Sequence, residues 1–239
     1  MHRVITAVSL FLAIEAGIIA GIAFHGAAVP WNAALRTSTV GQHAAPMPPH
    51  EGAVLSIEGT GIVEPVVQAT EAEGNSFYLK HDVGGSPSIA GAIFADYRCT
   101  QPSLHLLLYG HSFAYGTEKF TELKKAWNTE RFASIGAATI SIDGHAVSYR
   151  PIAAMKVDAG YAEIQRFGFS GTAELRAWLR ALVVSADIRA EKSADEIARA
   201  QHVLTMVTCS DMKPNQPGRT IVVFASASPE RIPPLPHRS

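Results

Sequence analysis

The chain has 239 residues, of which 47% are hydrophobic and 17% charged, and 20 basic residues nearly balance 21 acidic ones. This composition argues against a disordered chain, and the lack of a basic run argues against a nucleic-acid partner. Two cysteines are too few for a disulfide framework or a four-ligand zinc site.

The N-terminus carries a long apolar segment. Residues 4–24 contain a single acidic residue, Glu15, and as a helix they would extend about 30 Å, the thickness of a bilayer's hydrocarbon core. The apolar part of a cleaved signal peptide is usually about 7–15 residues. We therefore predict an uncleaved membrane anchor over residues 1–24, with the rest of the chain extracytoplasmic. A cleaved secretory signal is the alternative, and it implies the same compartment.

Composition divides the remainder into three parts. Residues 25–52 are rich in Ala, Pro, Gly and His without a sustained period, which is typical of a tether. Residues 53–227 have the patterns of one compact domain. Residues 228–239 are proline-rich, and we predict a flexible tail there.

Strand patterns dominate the compact domain. Short runs rich in branched and aromatic residues are separated by Gly, Pro and Asn. The pair Asp143-Gly144 joins two such runs and predicts a two-residue hairpin turn. The eight runs are AVLSIEG, VEPVVQ, AGAIFADY, LHLLLYG, TISI, HAVSY, VLTMVT and TIVVFASA.

Three segments between the strands have helical periodicity. These are residues 117–128; residues 172–184, with Thr172 as the expected N-cap; and residues 193–200, where Ser193 and Glu196 have capping-box spacing. Many short strands with few helices predict a mainly β protein, a closed or nearly closed β-barrel decorated by helices.

Three residues that could carry chemistry lie at strand ends. Cys209 ends one apolar run, His111 follows another, and Arg219 opens a third. Taken singly, a cysteine is usually an inert core residue or, in an oxidising compartment, half of a disulfide, here with Cys99. Together, a thiolate nucleophile, an imidazole acid/base and a guanidinium that stabilises an oxyanion form a coherent acyl-transfer site.

Six separated segments follow one another along the chain: IEGTGIVEPVVQ, NSFYLKHDVGG, AGAIFADYRC, YGHSF, LTMVTC and GRTIVV. In this order they resemble one family, the sortases, which are cysteine transpeptidases of Gram-positive surfaces. The class B sortases fit best: the histidine motif is YGHSF, and the nucleophile box TMVTC resembles the family's TLxTC.

The resemblance implies an eight-stranded β-barrel, a membrane anchor and no metal or organic cofactor. It implies that Cys209 is the nucleophile, His111 the general acid/base and Arg219 the substrate clamp and oxyanion stabiliser. A substrate-binding role follows in the same way for Asn75, Leu79 and Thr208. The implied reaction cleaves an NPxTx-like sorting signal of a surface protein after its threonine and transfers it to an amine, usually of the peptidoglycan cross-bridge.

Two departures from the class B pattern bear on the substrate. Val207 stands where the nucleophile box often has serine, and Cys99 stands where asparagine often follows the DYR triplet. The exact sorting signal therefore stays open. The alternatives are a pilin-polymerising sortase that uses a pilin lysine, a thiol hydrolase that resolves the acyl-enzyme with water, and a non-enzymatic surface-binding domain.

Overall fold

The computed structural model describes residues 52–100, 103–210 and 218–237. Within these ranges the chain forms nine strands and three α-helices. The strands are β1 (Ala53–Ile57), β2 (Ile62–Gln68), β3 (Ile93–Ala95), β4 (His105–Tyr109), β5 (Ala138–Ile142), β6 (His145–Asp158), β7 (Ile188–Arg189), β8 (His202–Cys209) and β9 (Gly218–Ser226). The helices are α1 (Thr129–Ala133), α2 (Thr172–Val184) and α3 (Ser193–Arg199), and short 3₁₀ turns cover Phe77–Leu79 and Thr121–Leu123.

Eight of these strands close into a barrel. The pairing order is β5-β1-β2-β3-β4-β8-β9-β6, and β6 pairs again with β5 to complete the ring. The long strand β6 makes this possible, because its first residues pair with β5 and its later ones with β9, with an irregularity between Pro151 and Ala153. The two-residue β7 is added outside the ring on β6. The predicted closed β-barrel is confirmed.

All eight predicted strand runs form strands. The Asp143-Gly144 turn also forms as predicted, with φ values of 48° and 82° that suit a two-residue hairpin between β5 and β6. In α2 the predicted apolar face is buried: Leu175, Trp178, Leu179, Leu182 and Val183 all lie in the core.

The predicted helix over residues 117–128 is wrong. Lys119 has a φ of 53°, and both its amide and its ammonium group bind the Glu64 carboxylate, which holds the chain in a turn. Only the 3₁₀ turn Thr121–Leu123 forms, and it still buries Leu123. The α-helix α1 begins afterwards, where the Asn128 side chain accepts hydrogen bonds from the amides of Glu130 and Arg131.

The two predicted caps are also wrong. At α2 the N-cap is Gly171, and the Glu174 carboxylate accepts the Ser170 amide and hydroxyl. At α3 the N-cap is Lys192 without a side-chain capping bond, and the Glu196 carboxylate pairs with Arg199 and Arg150.

The C-terminal segment differs from the predicted flexible tail. Ile232 and Leu235 are buried in the main core, and the Pro236 carbonyl accepts the Gln68 amide at 2.9 Å. The proline-rich composition predicted flexibility, but the burial of Ile232 and Leu235 and the hydrogen bond from Gln68 hold the segment against the barrel.

None of the helices in the described ranges is long and apolar enough to cross a bilayer. The predicted anchor over residues 1–24 and residues 25–51 of the predicted tether lie outside the described residues.

Candidate active site

The pairing of three barrel strands brings the three predicted catalytic residues to one edge. Cys209, the last residue of β8, is the register partner of Arg219 in the antiparallel β9. Strand β4 pairs with β8 in parallel, with Tyr109 opposite Val207, and His111 follows two residues later. Because parallel strands end at the same edge of a sheet, His111 emerges beside Cys209.

Two hydrogen bonds tie the histidine segment to the cysteine strand. The Gly110 amide donates to the Val207 carbonyl at 3.2 Å, which extends the strand pairing past the end of β4. The Ser112 hydroxyl donates to the Cys209 carbonyl at 2.9 Å. His111 therefore stands between two residues whose backbone or side chain is bound to β8.

The imidazole of His111 is oriented by the turn at Phe77–Leu79. Its Nε2 lies 2.8 Å from the Leu79 carbonyl oxygen. Since a carbonyl can only accept, Nε2 carries the proton in this contact and Nδ1 remains the basic nitrogen of the neutral ring. The side chain is half-buried.

Gly91 makes this contact sterically possible. Its φ is +61°, and a Cβ built there would lie 2.6 Å from the Tyr78 carbonyl oxygen, 3.1 Å from the Leu79 carbonyl oxygen and 3.1 Å from the His111 ring. The absent side chain lets the chain after Ser88 pass directly beneath the imidazole and its acceptor.

Arg219 is half-buried and lines a small pocket on the outer face of the barrel. One guanidinium nitrogen donates to the Gly218 carbonyl at 3.0 Å. The pocket has a volume of about 50 Å³, and we call it the groove; its lining includes Tyr109, Val157, Gln165, Val207, Arg219 and Ile221. Asp158 also lines it, so the cationic fork shares a small pocket with apolar, aromatic and acidic side chains, a setting that can hold a polar group of a peptide.

Alternation along β8 separates Thr208 from Val207 and Cys209. Successive side chains of a strand point to opposite faces, and Thr208 is 3% exposed. Its register partner Thr220 shares that inner face and donates to the Lys124 carbonyl. Thr208 Oγ1 is buried and has no hydrogen-bond partner among the described residues. This position does not favour direct substrate contact, and the role of Thr208 stays a prediction.

Asn75 and Leu79 lie on the loop beside His111, and each has a structural partner. The Asn75 amide donates to the Asp96 carboxylate at 2.8 Å and its oxygen accepts the Tyr97 amide at 3.1 Å. Leu79 contributes its carbonyl to His111 and keeps its side chain half-buried. Substrate contact by either side chain stays a prediction.

Cys99 is chemically distinct from Cys209. The chain's only two cysteines both lie in the described part, and they form no disulfide. Cys99 is 7% exposed, its sulfur accepts the Leu107 amide at 3.3 Å, and burial raises the pKa of its thiol to about 12. A thiol held protonated in the core is a poor nucleophile. Cys209 is half-buried at a strand end.

Sequence reasoning missed several residues around the site. Asp96 is fully buried and binds Arg98, Asn75 and Tyr109, while Ser112 holds the Cys209 backbone. Asp96 and Ser112 lie inside two motifs already noted, DYR and YGHSF. The available signal was an Asp-x-Arg spacing next to an apolar strand, but it could not reveal which other segments that carboxylate reaches.

Comparison with known proteins finds the same fold among the sortases. No family model matches the chain. Sortase B of Listeria monocytogenes is 24% identical over 174 residues, covering 70% of this chain and 66% of that protein. The chain thus matches slightly less than two thirds of the length of this relative.

Solved structures agree with this assignment of the fold. Clostridium perfringens sortase B superposes with a TM-score of 0.63 at 23% identity, over 74% of this chain and 94% of that one. Staphylococcus aureus sortase B in a substrate complex gives a TM-score of 0.60 at 19% identity, over 76% and 82%. A third, Bacillus anthracis sortase B in complex with AAEK1, gives 0.58 at 23% identity, over 74% and 79%.

The fold is therefore the sortase fold. The four relatives described above are all sortase B proteins, and the resemblance to class B sortases that the motifs indicated is confirmed.

Proposed function

We propose that this protein is a membrane-anchored cysteine transpeptidase of the class B sortase type. It cleaves the C-terminal NPxTx-like sorting signal of a surface protein after threonine and transfers that protein to an amine of the cell wall. Cys209 is the nucleophile, His111 the general acid/base, and Arg219 the substrate clamp and oxyanion stabiliser.

One observation carries the proposal: three barrel strands place the predicted catalytic residues at one edge. His111 follows the end of β4, Cys209 ends β8, and Arg219 lies at the start of β9. Cys209 and Arg219 are register partners, and a serine beside His111 binds the Cys209 carbonyl. These residue types can supply the nucleophile, the acid/base and the oxyanion stabiliser that acyl transfer through a thioester uses. Such a meeting at one edge is not expected of three unrelated end residues.

In the acylation step, the Cys209 thiolate attacks the carbonyl carbon of the signal's threonine. The Arg219 guanidinium stabilises the negative charge that develops on the carbonyl oxygen. As the tetrahedral intermediate collapses, the peptide bond after threonine breaks, and protonated His111 gives its proton to the departing amine. A thioacyl-enzyme and a free C-terminal fragment result.

In the second step, an amine attacks the thioester carbonyl. His111, now neutral, removes a proton from the attacking nitrogen, a new amide bond forms and the Cys209 thiolate leaves. The acceptor is an amine of the peptidoglycan cross-bridge. A pilin lysine in its place would make the protein a pilin polymerase.

The proposed location follows from the N-terminal sequence. Residues 1–24 would anchor the protein in the cell membrane in a single pass, and residues 25–52 would hold the barrel at a distance from it on the extracytoplasmic side. Both substrates, an exported protein and a wall precursor, are available there.

The decisive experiment incubates the full-length protein with a panel of sorting-signal peptides, with and without an amine acceptor such as triglycine, and identifies products by mass. A ligated product that requires the amine supports the transpeptidase. Cleavage to the free acid alone, unaffected by the amine, would favour the thiol hydrolase. If no peptide is cleaved, and the protein still binds its surface partner after its thiols are alkylated, the non-enzymatic binding domain is favoured.

A further inference from the structure

Asp96 is a buried carboxylate with an unusually complete set of donors. It directly follows β3 and is 0% exposed. Its Oδ1 accepts the Arg98 amide at 3.0 Å and Arg98 Nε at 2.8 Å. Its Oδ2 accepts Arg98 Nη2 at 2.7 Å, Asn75 Nδ2 at 2.8 Å and the Tyr109 hydroxyl at 3.1 Å. A buried carboxylate is tolerated when its charge is paired and its lone pairs are used, and both conditions hold here.

The donors come from separate segments of the chain. Asn75 lies on the loop that leads to the turn under His111, Tyr109 ends β4 in the floor of the groove, and Arg98 follows β3. Both terminal nitrogens of Arg98 also donate to the Gln165 side-chain oxygen, at 3.2 Å each. Its guanidinium further lies 4.7 Å from the centre of the Phe167 ring.

This network reaches two sides of the groove. Tyr109 and Gln165 both line it, and Asp96 holds the first directly and the second through Arg98. The Gln165 side chain is exposed, and the contact with Arg98 orients it. Asp96 thus links the side chains of Tyr109 and Gln165 across the groove, while the hydrogen bond from His105 to the Arg166 carbonyl separately holds the backbone of the segment preceding α2.

We infer that Asp96 is a positioning residue that pre-forms the peptide groove by holding Tyr109, Asn75 and the Arg98–Gln165 pair in fixed relation. The inference rests on the proposed function, because it takes the groove as the site of the sorting signal. Its effect falls on substrate binding. Pre-formed walls save the ordering cost that a loose groove would pay on binding.

The histidine turn is supported separately from Asp96. The Ala92 amide donates to the Tyr78 carbonyl and the Ser88 amide to the Lys80 carbonyl, both at 2.8 Å. These bonds keep the Leu79 carbonyl in place when the Asn75 contact weakens. Loss of the Asp96 network should therefore change KM for the peptide much more than kcat.

The test compares three variants of the full-length protein in the transpeptidation assay, with the NPxTx-type peptide that the wild type uses fastest. Asp96→Asn should raise KM about tenfold or more and leave kcat within about threefold, the pattern of lost uniform binding. Gln165→Ala should raise KM by a smaller factor, about threefold. Gln165→Glu, unlike Gln165→Ala, should keep the wild-type KM, because its carboxylate can accept the same two Arg98 N–H groups.

Glu196→Gln is the matched control. Glu196 is a largely buried carboxylate that pairs with two arginines but lies on α3, and its variant should keep wild-type KM and kcat. Unchanged KM in both Asp96→Asn and Gln165→Ala would overturn the inference, as would a fall in kcat at constant KM. If Asp96→Asn does not fold, the two variants at exposed Gln165 decide the question.

Amide hydrogen exchange separates this inference from the proposed function. The Tyr97 amide is bound by Asn75, whose side chain Asp96 holds. This amide should exchange faster in Asp96→Asn than in Glu196→Gln, even if the wild type turns over no peptide. A wild type without turnover but with this change would sink the transpeptidase proposal alone. Unchanged exchange would overturn the positioning role.

Discussion

Cys209 and Arg219 are register partners across the antiparallel pair of β8 and β9. Opposed residues in such a pair have Cα atoms roughly 4.5–5.5 Å apart, so backbone pairing fixes their separation before any side-chain contact forms. The intervening residues can therefore vary without moving the thiol away from the guanidinium. This relationship motivates the first two predictions.

The two cysteines should differ completely in reactivity. We expect Cys209→Ala to abolish the acyl-enzyme, while Cys99→Ser should leave it largely intact because Cys99 is buried and its thiol has a pKa of about 12. Intact-mass measurement after mixing with a signal peptide reads the adduct directly. Equal loss in Cys99→Ser, in a variant that still unfolds like the wild type, would contradict the single-nucleophile mechanism.

Replacing Arg219 by lysine should lower kcat/KM by roughly 10²–10³-fold, the usual effect of removing an oxyanion-stabilising donor. An ammonium group keeps the charge but cannot reproduce the planar fork. Steady-state kinetics measure the change. Arg180→Lys, at an exposed position on α2, serves as the control and should behave like the wild type. Near-normal turnover in Arg219→Lys would remove the clamp role.

Gly91→Ala should reduce both stability and turnover. The added Cβ would lie 2.6 Å from the Tyr78 carbonyl oxygen and 3.1 Å from the His111 ring, at a φ of +61°. We expect a loss of about 1–3 kcal/mol in the free energy of unfolding and a fall in kcat, because the acceptor of His111 Nε2 must shift.

Gly61→Ala is the control for Gly91→Ala. Its φ of +72° imposes similar backbone strain, but no atom lies within 4 Å of the added Cβ. It should lose stability and keep its kcat. If the two alanine variants show the same kcat, the steric link from Gly91 to His111 is wrong.

The protein should lose stability on mild acidification because of His105. Burial lowers the pKa of this imidazole from 6.5 to about 4, while Nδ1 donates to the Arg166 carbonyl and Nε2 accepts the Thr205 hydroxyl. The unfolded chain therefore binds more protons between these values. The free energy of unfolding should fall as the pH drops from 6.5 towards 4, by at most about 1.4 kcal/mol per pH unit.

Urea denaturation at several pH values tests this expectation. His105→Gln should flatten part of the slope, and only part, because burial lowers the pKa of His202 as well and gives the same sign. His145→Gln, at an exposed position on β6, should leave the slope unchanged. An identical slope in wild type and His105→Gln would show that His105 is not the titrating group.

Local patterns predicted the strands better than the helices. Alternating branched residues and the Asp143-Gly144 turn are short-range signals, and the strands and the hairpin formed as expected. The helix predicted over residues 117–128 failed because Glu64, 55 residues before Lys119, takes both the amide and the ammonium of Lys119. A periodic stripe carries no information about such a distant partner.

The sequence by itself determined the sortase-like barrel and the three strand-end residues Cys209, His111 and Arg219 as candidates, because strand runs and the motifs around them are contiguous. Only the tertiary structure decided that Thr208 faces inward, that Cys99 is buried, and that Asp96 connects Asn75, Tyr109 and Arg98. The physical reason is that side-chain direction and burial depend on which strands pair and in which register, and those pairings join residues far apart in the chain.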